Sequence, residues 1–132
     1  MKEHEFILNM IENVNPDDTE KLDEIDARVL CYVNNSNPNG EAWLGDEKTT
    51  VWRANLFIGK CNIYTRSRDA LKSIRPDGLA VAIWSNGRCT KWVCGASKDA
   101  DNPMTSVSLP TEELAELHAI IQAIAYERGL ND

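Results

Sequence analysis

The chain has 132 residues and a net charge of -7, with 42% hydrophobic and 27% charged residues. This size and composition are typical of one soluble globular domain. No apolar run approaches the ~20 residues that a membrane-spanning helix needs, and the N-terminal stretch is acidic where a signal peptide would be basic. We therefore expect a single domain over residues 1–132, located in the cytoplasm.

Two segments before residue 34 carry apolar residues at helical spacing. The first covers residues 3–14. The second follows Asn15 and Pro16, with Asn15 as its expected cap and Pro16 at its first helical position. We expect the helix within residues 1–15 to be an addition to a core formed by residues 20–128.

The segment after these helices divides into a loop and a strand. Residues 34–45 are rich in turn-forming residues and predict a loop that carries Trp43. Residues 49–58 are β-branched and aromatic, which predicts a single strand containing Trp52 and Arg53.

Residues 64–94 predict a short helix followed by a β-hairpin. Thr65 or Ser67 is placed to cap the helix, and Pro76-Asp77-Gly78 forms a turn that ends it. The strand over residues 79–85 then reverses at Asn86-Gly87, the preferred two-residue hairpin turn, into a return strand over residues 88–94.

Both faces of the strand over residues 79–85 are apolar. One carries Leu79, Val81 and Ile83, and the other carries Ala80, Ala82 and Trp84. An antiparallel sheet with one side in water alternates apolar and polar residues instead, so we expect helices to cover both faces and to bury Trp84.

A long amphipathic helix is predicted over residues 110–128, with Gly129 placed to end it. The resulting fold class is α+β. The expected arrangement is a three-layer α-β-α sandwich with a small, mainly antiparallel sheet and this long C-terminal helix.

Four stretches of the chain resemble a known family. They are LDEIDARVLCYV from Leu22, YTRSRDAL from Tyr64, IRPDGL from Ile74, and the closing helix LPTEELAELHAIIQAIAYER. This pattern resembles the phage ABA sandwich domain, a family of small proteins from phages and prophages. The resemblance implies a phage origin, hence the cytoplasm of a bacterial host, and an α-β-α sandwich. It implies no activity, because the family is one of unknown function.

Charge is segregated along the chain. Residues 48–98 hold ten Lys or Arg against Asp69 and Asp77, whereas both ends are acidic. The simpler interpretation is that acidic terminal helices pack beside the basic centre and neutralise it. The alternative is a basic face for an anionic partner, or an acidic face that competes with nucleic acid.

No residue pattern predicts catalysis, a metal site or a cofactor. The four cysteines have none of the usual metal-ligand spacings and are expected to be free, buried side chains. His4 and His118 are the two histidines that could serve as bases. We expect His4 near a mobile terminus and His118 at the edge of the core. We therefore predict that the protein is not an enzyme.

The function predicted from these features is protein binding. Tryptophan and arginine are favoured interface anchors, so Trp43, Trp52 and Arg53 are the candidate contacts with a host or phage protein. An anti-defence inhibitor is one form of this hypothesis, and mimicry of nucleic acid by the acidic ends is another. The alternative is nucleic-acid binding through basic and aromatic residues of segment 48–98, although a sandwich with both sheet faces covered offers no free surface for it.

Overall fold

A computed structural model describes residues 2–34, 42–44, 50–53, 56–97 and 104–129. The helices are α1 (Glu3–Asn13), α2 (Thr19–Val33), α3 (Arg68–Lys72) and α4 (Glu112–Glu127). The strands are β1 (Ala42–Leu44), β2 (Thr50–Arg53), β3 (Leu56–Lys60), β4 (Ala80–Ser85), β5 (Trp92–Ser97) and β6 (Met104–Thr105). The predicted α+β class, with antiparallel strands and a long C-terminal helix, is confirmed.

The described strands form two antiparallel sheets, ordered β1-β2-β3 and β4-β5-β6, where a single small sheet was expected. The prediction of one strand over residues 49–58 is wrong, because β2 and β3 pair with each other, Thr50 opposite Lys60. The predicted loop is also wrong at residues 42–44. There β1 pairs with β2, and strand pairing outweighs the turn-rich composition on either side.

The helices connect the two sheets. α2 contacts all three strands of the first sheet and α4 contacts all three of the second, while α1 contacts both of these helices. Ile7 and Ile11 of α1 are fully buried in the same hydrophobic cluster as α4, so α1 packs as part of the core. α4 is buried on nearly every side from Leu114 to Ile121, because the second sheet contacts it on one side and α1 and α3 contact it elsewhere.

Side-chain caps mark where α2, α3 and α4 begin. The prediction of Asn15 as the α2 cap is wrong, since Asp18 Oδ1 accepts from the Lys21 amide at 3.2 Å. Asn15 Oδ1 instead accepts from the Asp17 amide, within the turn that precedes the helix. Of the two predicted caps of α3, Thr65 and Ser67, it is Ser67 that accepts from the Ala70 amide, at 3.2 Å.

The turn before β4 is confirmed. The Leu79 amide donates to the Pro76 carbonyl at 3.1 Å, and Gly78 has a φ of +80°. A positive φ at the third position of a four-residue turn requires glycine in most cases.

The prediction of a two-residue hairpin turn at Asn86-Gly87 is wrong. Ser85 pairs with Trp92, so residues 86–91 form a longer connection, and Cys89, at φ +54°, takes the positive dihedral angle. The Asn86 side chain stabilises this connection, because its Oδ1 accepts from the Thr90 amide and its Nδ2 donates to Thr90 Oγ1. A local side-chain interaction therefore overrides the two-residue turn.

The expectation that helices cover both faces of the hairpin is also wrong. α4 covers the face that carries Val81 and Ile83. Ala80, Ala82 and Trp84 are exposed on the opposite face, with Trp84 51% accessible. Among the described helices, α4 packs on the other face of this sheet and α2 packs on the first sheet, so none of them covers the face of Trp84.

Candidate binding face of the second sheet

The contacts predicted from the sequence lie in the first sheet. Trp43 is in β1, directly opposite Trp52 of β2, and Arg53 of β2 pairs with Ala42. The strand pairing therefore brings the backbones of all three predicted contacts together. Their side chains lie outside the described part of the structure, and their contact role stays a prediction.

The second sheet has an open face built around Trp84. Val93 lies directly opposite Trp84 on this face, whereas the positions that precede Trp84 are small, because Ala82 lies opposite Gly95 and Ala80 lies opposite Ser97. A Cβ atom added to Gly95 would lie 3.3 Å from Trp84 Cη2 and 3.4 Å from Cζ3. The indole ring therefore rests over Gly95, where a larger side chain would displace it.

This arrangement has the features of a contact site. A tryptophan offers a large apolar area with few rotatable bonds, and such residues dominate the binding energy of many interfaces. The small residues beside it let the backbone of a partner approach the sheet closely. Sequence analysis did not identify Trp84 as a contact residue. Its alternation with two alanines also fits a buried strand, and this pattern cannot distinguish a covered face from an open one.

Two cations lie at one end of this face. Arg88 and Lys91 are exposed in the connection that follows β4, and within the described part of the chain neither forms an ion pair. Asp77, also exposed and without an ion pair there, lies at the opposite end, in the turn that precedes β4.

Three other arginines of the basic centre pair with carboxylates of the helices. Arg66 Nη2 lies 2.6 Å from Asp23 Oδ1 and 2.9 Å from Asp26 Oδ2 of α2. Arg68 and Arg75 both bond the fully buried Glu116 of α4, at 2.8 and 3.1 Å. For these three arginines, the acidic helices neutralise the basic centre, as the simpler interpretation of the charge pattern predicted.

Asp26 is a buried carboxyl with a structural role. Burial raises its pKa to about 6, although hydrogen bonds from Thr65 and Arg66 act to lower it. The Thr65 amide donates to Asp26 Oδ1 at 2.8 Å. Asp26 thus holds the entry to α3 against α2.

The thiols and imidazoles do not form an activated group in the described residues. Burial raises the pKa of Cys94 to about 11 and that of Cys61 to about 12, which disfavours the reactive thiolate. Burial lowers the pKa of His118, whose Nδ1 lies 2.9 Å from Gln122 Nε2 and whose Nε2 lies 3.5 Å from Glu12 Oε2.

Two expectations about these residues are wrong. His4 is buried within α1 instead of lying at a mobile terminus, because α1 packs into the core. The four cysteines are free as predicted, but Cys89 is exposed, since it lies in the connection between β4 and β5.

A groove of about 400 Å³ separates the end of α1 from the start of α2. Its polar groups are already used by the helix ends, because Asn13 donates to the Asn9 carbonyl and Asp18 caps α2.

Among the described residues, no three His, Cys, Asp or Glu side chains are grouped as metal ligands would be. No helix in the same residues has the length and apolar character needed to cross a membrane.

Comparison with known proteins found no match for this chain among protein-family models, curated proteins or solved structures.

Proposed function

We propose that this protein acts by binding another protein through the open face of its second sheet. The observation that carries the proposal is Trp84, 51% exposed near the end of the antiparallel strand β4 and resting over Gly95. A side chain of this size is normally buried. A partner that covered it would bury a rigid apolar surface at the centre of an interface.

The chemistry of the rest of the molecule supports a binding role over catalysis. The buried carboxylates of Asp26 and Glu116 bond arginines, and the thiols of Cys61 and Cys94 have raised pKa values. These perturbed groups are explained by packing of the segment that precedes α3 against α2 and of α3 against α4.

We further propose a phage-encoded accessory protein that works in the cytoplasm of a bacterial host. The support is the resemblance of the stretches at Leu22, Tyr64 and Ile74 to the phage ABA sandwich domain. The partner in this proposal is a host or phage protein, and inhibition of a host defence protein is one form that the interaction takes. Trp43, Trp52 and Arg53 remain proposed additional contacts.

Capture of the partner from infected host lysate tests this proposal. The immobilised wild-type chain is compared with Trp84→Ala and with Tyr126→Ala, a control of similar exposure at 47% on α4. We expect Trp84→Ala to capture at least about tenfold less of the partner than wild type, and Tyr126→Ala to capture as much as wild type. A partner retained equally by both variants, with unchanged circular dichroism, would remove Trp84 from the interface.

A second candidate function is favoured by the cations at the end of the face. Arg88 and Lys91 are exposed and follow Trp84 along the chain, and a stacking aromatic beside basic groups suits single-stranded nucleic acid. The open face removes the objection that the sheet is covered. Under this alternative, a labelled oligonucleotide binds with strong salt dependence and loses affinity in both Arg88→Ala and Lys91→Ala. Salt-independent or absent binding favours the protein partner.

A further inference from the structure

In the part of the chain that the structure describes, the outer edge of β4 has main-chain hydrogen-bonding groups without partners. β4 is the terminal strand of the order β4-β5-β6. The Asn86 amide donates to the Lys91 carbonyl, and bonding to the neighbouring strand alternates along an antiparallel pair. Ala80, Ala82 and Trp84 therefore bond to β5, whereas the amides and carbonyls of Val81, Ile83 and Ser85 point to the free edge. Within the described residues these outward groups have no hydrogen-bond partner.

This edge lacks the usual protection against pairing. Exposed edge strands are commonly short, or interrupted by lysine, proline or a bulge. β4 has six residues, AVAIWS, with no charge and no proline. Val81 and Ile83 are only partly buried although they pack on the core, which is expected where the sheet ends in solvent.

We propose that the β4 edge pairs with the β4 edge of a second copy of this chain, antiparallel and about a two-fold axis at Ile83. In this register Ile83 lies opposite its own counterpart, and Val81 lies opposite Ser85 of the other copy. Each of these pairs exchanges two main-chain hydrogen bonds. All the free groups of the edge are satisfied, and the two second sheets become one continuous sheet.

Side-chain size fits this register. Ala82 of each copy lies opposite Trp84 of the other on the open face, so the large indole has a small neighbour across the new strand pair. Cross-strand neighbours of this kind lie close enough to contact. The open face then extends across the two-fold axis with two copies of Trp84.

Charge selects the antiparallel orientation. Asp77 precedes β4 and Arg88 follows it, both exposed and without an ion pair in the described part of the chain. With Ile83 on the axis, Gly78 falls opposite Arg88 of the other copy, which brings Asp77 beside that arginine. Parallel pairing would instead place like charges together, at both ends of the strand.

This inference goes beyond the proposed function, because it requires no other protein. The two proposals are tested by different experiments. An isolated chain that stays monomeric overturns the pairing of copies, whereas the Trp84→Ala capture result decides the role of the open face. An edge that pairs only with an extended segment of another protein would appear as a monomer in isolation.

The test is the mass of the purified chain by sedimentation equilibrium. An interface below ~1,200 Å² is expected to be weak, so concentrations span about 10 to about 500 µM. We expect wild type to approach twice the 14.8 kDa chain mass. Arg88→Glu and Asp77→Arg should each weaken the dimer on the order of tenfold. The double variant Asp77→Arg/Arg88→Glu should restore it. A monomer throughout the range, or a dimer unchanged by the single variants, would refute the proposal.

A cross-link provides a second measurement. In the proposed register the two Ile83 Cα atoms lie about 5.5 Å apart, within the range that a disulfide spans. Ile83→Cys in a Cys89→Ser background should therefore form a covalent dimer on mild oxidation. Thr105→Cys in the same background, exposed on β6 at the opposite edge of the sheet, serves as the control. Equal cross-linking at both positions would indicate random collision and contradict the register.

Discussion

The two faces of the second sheet are both apolar, but only one is covered. Val81, Ile83 and Ala96 lie on the face that packs against α4, and Ala96 is almost completely buried. Trp84 and Ala82 lie on the other face and are exposed. The comparison shows that the composition of a strand does not determine which face is covered. The number and placement of the helices determine it.

The arginines of the basic centre divide in the same way. Arg66, Arg68 and Arg75 are engaged by carboxylates of α2 and α4 on the inner side, whereas Arg88 lies exposed beyond the end of β4. Much of the charge segregation in the sequence is therefore internal ion pairing. The part that remains exposed adjoins the open face.

The largest expected effect is a difference in the free energy of unfolding between alanine-to-aspartate substitutions on the two faces. Ala96→Asp places a carboxylate in the core beside α4 and should cost at least about 4 kcal/mol, because the charge is buried without a partner. Ala82→Asp on the open face should change the free energy of unfolding by no more than about 1 kcal/mol. Urea unfolding at low protein concentration measures both. Equal destabilisation would mean that the Trp84 face is covered after all.

The next largest effect is the pH dependence of stability that buried Asp26 produces. The pKa of Asp26 rises from 3.8 to about 6 on folding, so the folded state binds more protons between these values. Stability should therefore fall as pH rises through this window, on the order of 3 kcal/mol in total. Asp26→Asn lacks this dependence. The difference in unfolding free energy, wild type minus variant, should decrease between about pH 3.5 and about pH 6.5. These two pH values lie just below the unfolded-state pKa and just above the folded-state pKa of Asp26. A constant or increasing difference would contradict the burial assigned to Asp26.

Glu116 gives a smaller effect on the same side. Glu116→Gln removes the charge that Arg68 and Arg75 share. We expect a loss of about 2 kcal/mol, less than the ~3–5 kcal/mol of a fully buried pair because Arg68 is partly exposed. Glu113→Gln, a neighbouring change on α4 with no ion pair in the described residues, should stay within about 0.5 kcal/mol. Similar values for the two variants would show that the inward arginines contribute little.

The smallest expected effect on stability is that of Trp84. Trp84→Ala should cost about 1.5 kcal/mol, half of the ~3 kcal/mol lower value for a buried tryptophan, since half of the side chain is already in solvent and its contact is with Gly95. Thermal unfolding followed by circular dichroism measures this. A loss of 3 kcal/mol or more, the range of a buried tryptophan, would identify Trp84 as a core residue.

The helical part of the fold was predictable because its signals are local. The apolar spacing that predicted the second helix and the cap position at Thr65 or Ser67 each depend on residues within one element, and the structure confirms α2 and the cap at Ser67. The hairpin was less predictable. Asn86-Gly87 has the preferred composition for a two-residue turn, but the bonds from Asn86 to Thr90 and the left-handed Cys89 extend the connection.

The candidate site depended on long-range packing. The exposure of Trp84 follows from where α4 and the other helices lie, which no local pattern near residue 84 encodes. The pairing of Arg68 with Glu116 likewise joins residues 48 positions apart. The separation of acidic and basic segments predicted such pairing in general, but it did not identify the partners. Trp43, Trp52 and Arg53 remain predictions whose side chains lie outside the described structure.

The most direct test of the open face is hydroxyl-radical footprinting of individual tryptophans, read by mass spectrometry on the dilute chain with and without its captured partner. Trp84 and the half-buried Trp92 occupy neighbouring strands of the same sheet, which makes Trp92 an internal reference. We predict that Trp84 is oxidised faster than Trp92 in the isolated chain and becomes protected when the partner binds. Oxidation of Trp84 no faster than that of Trp92 in the isolated chain would contradict the account.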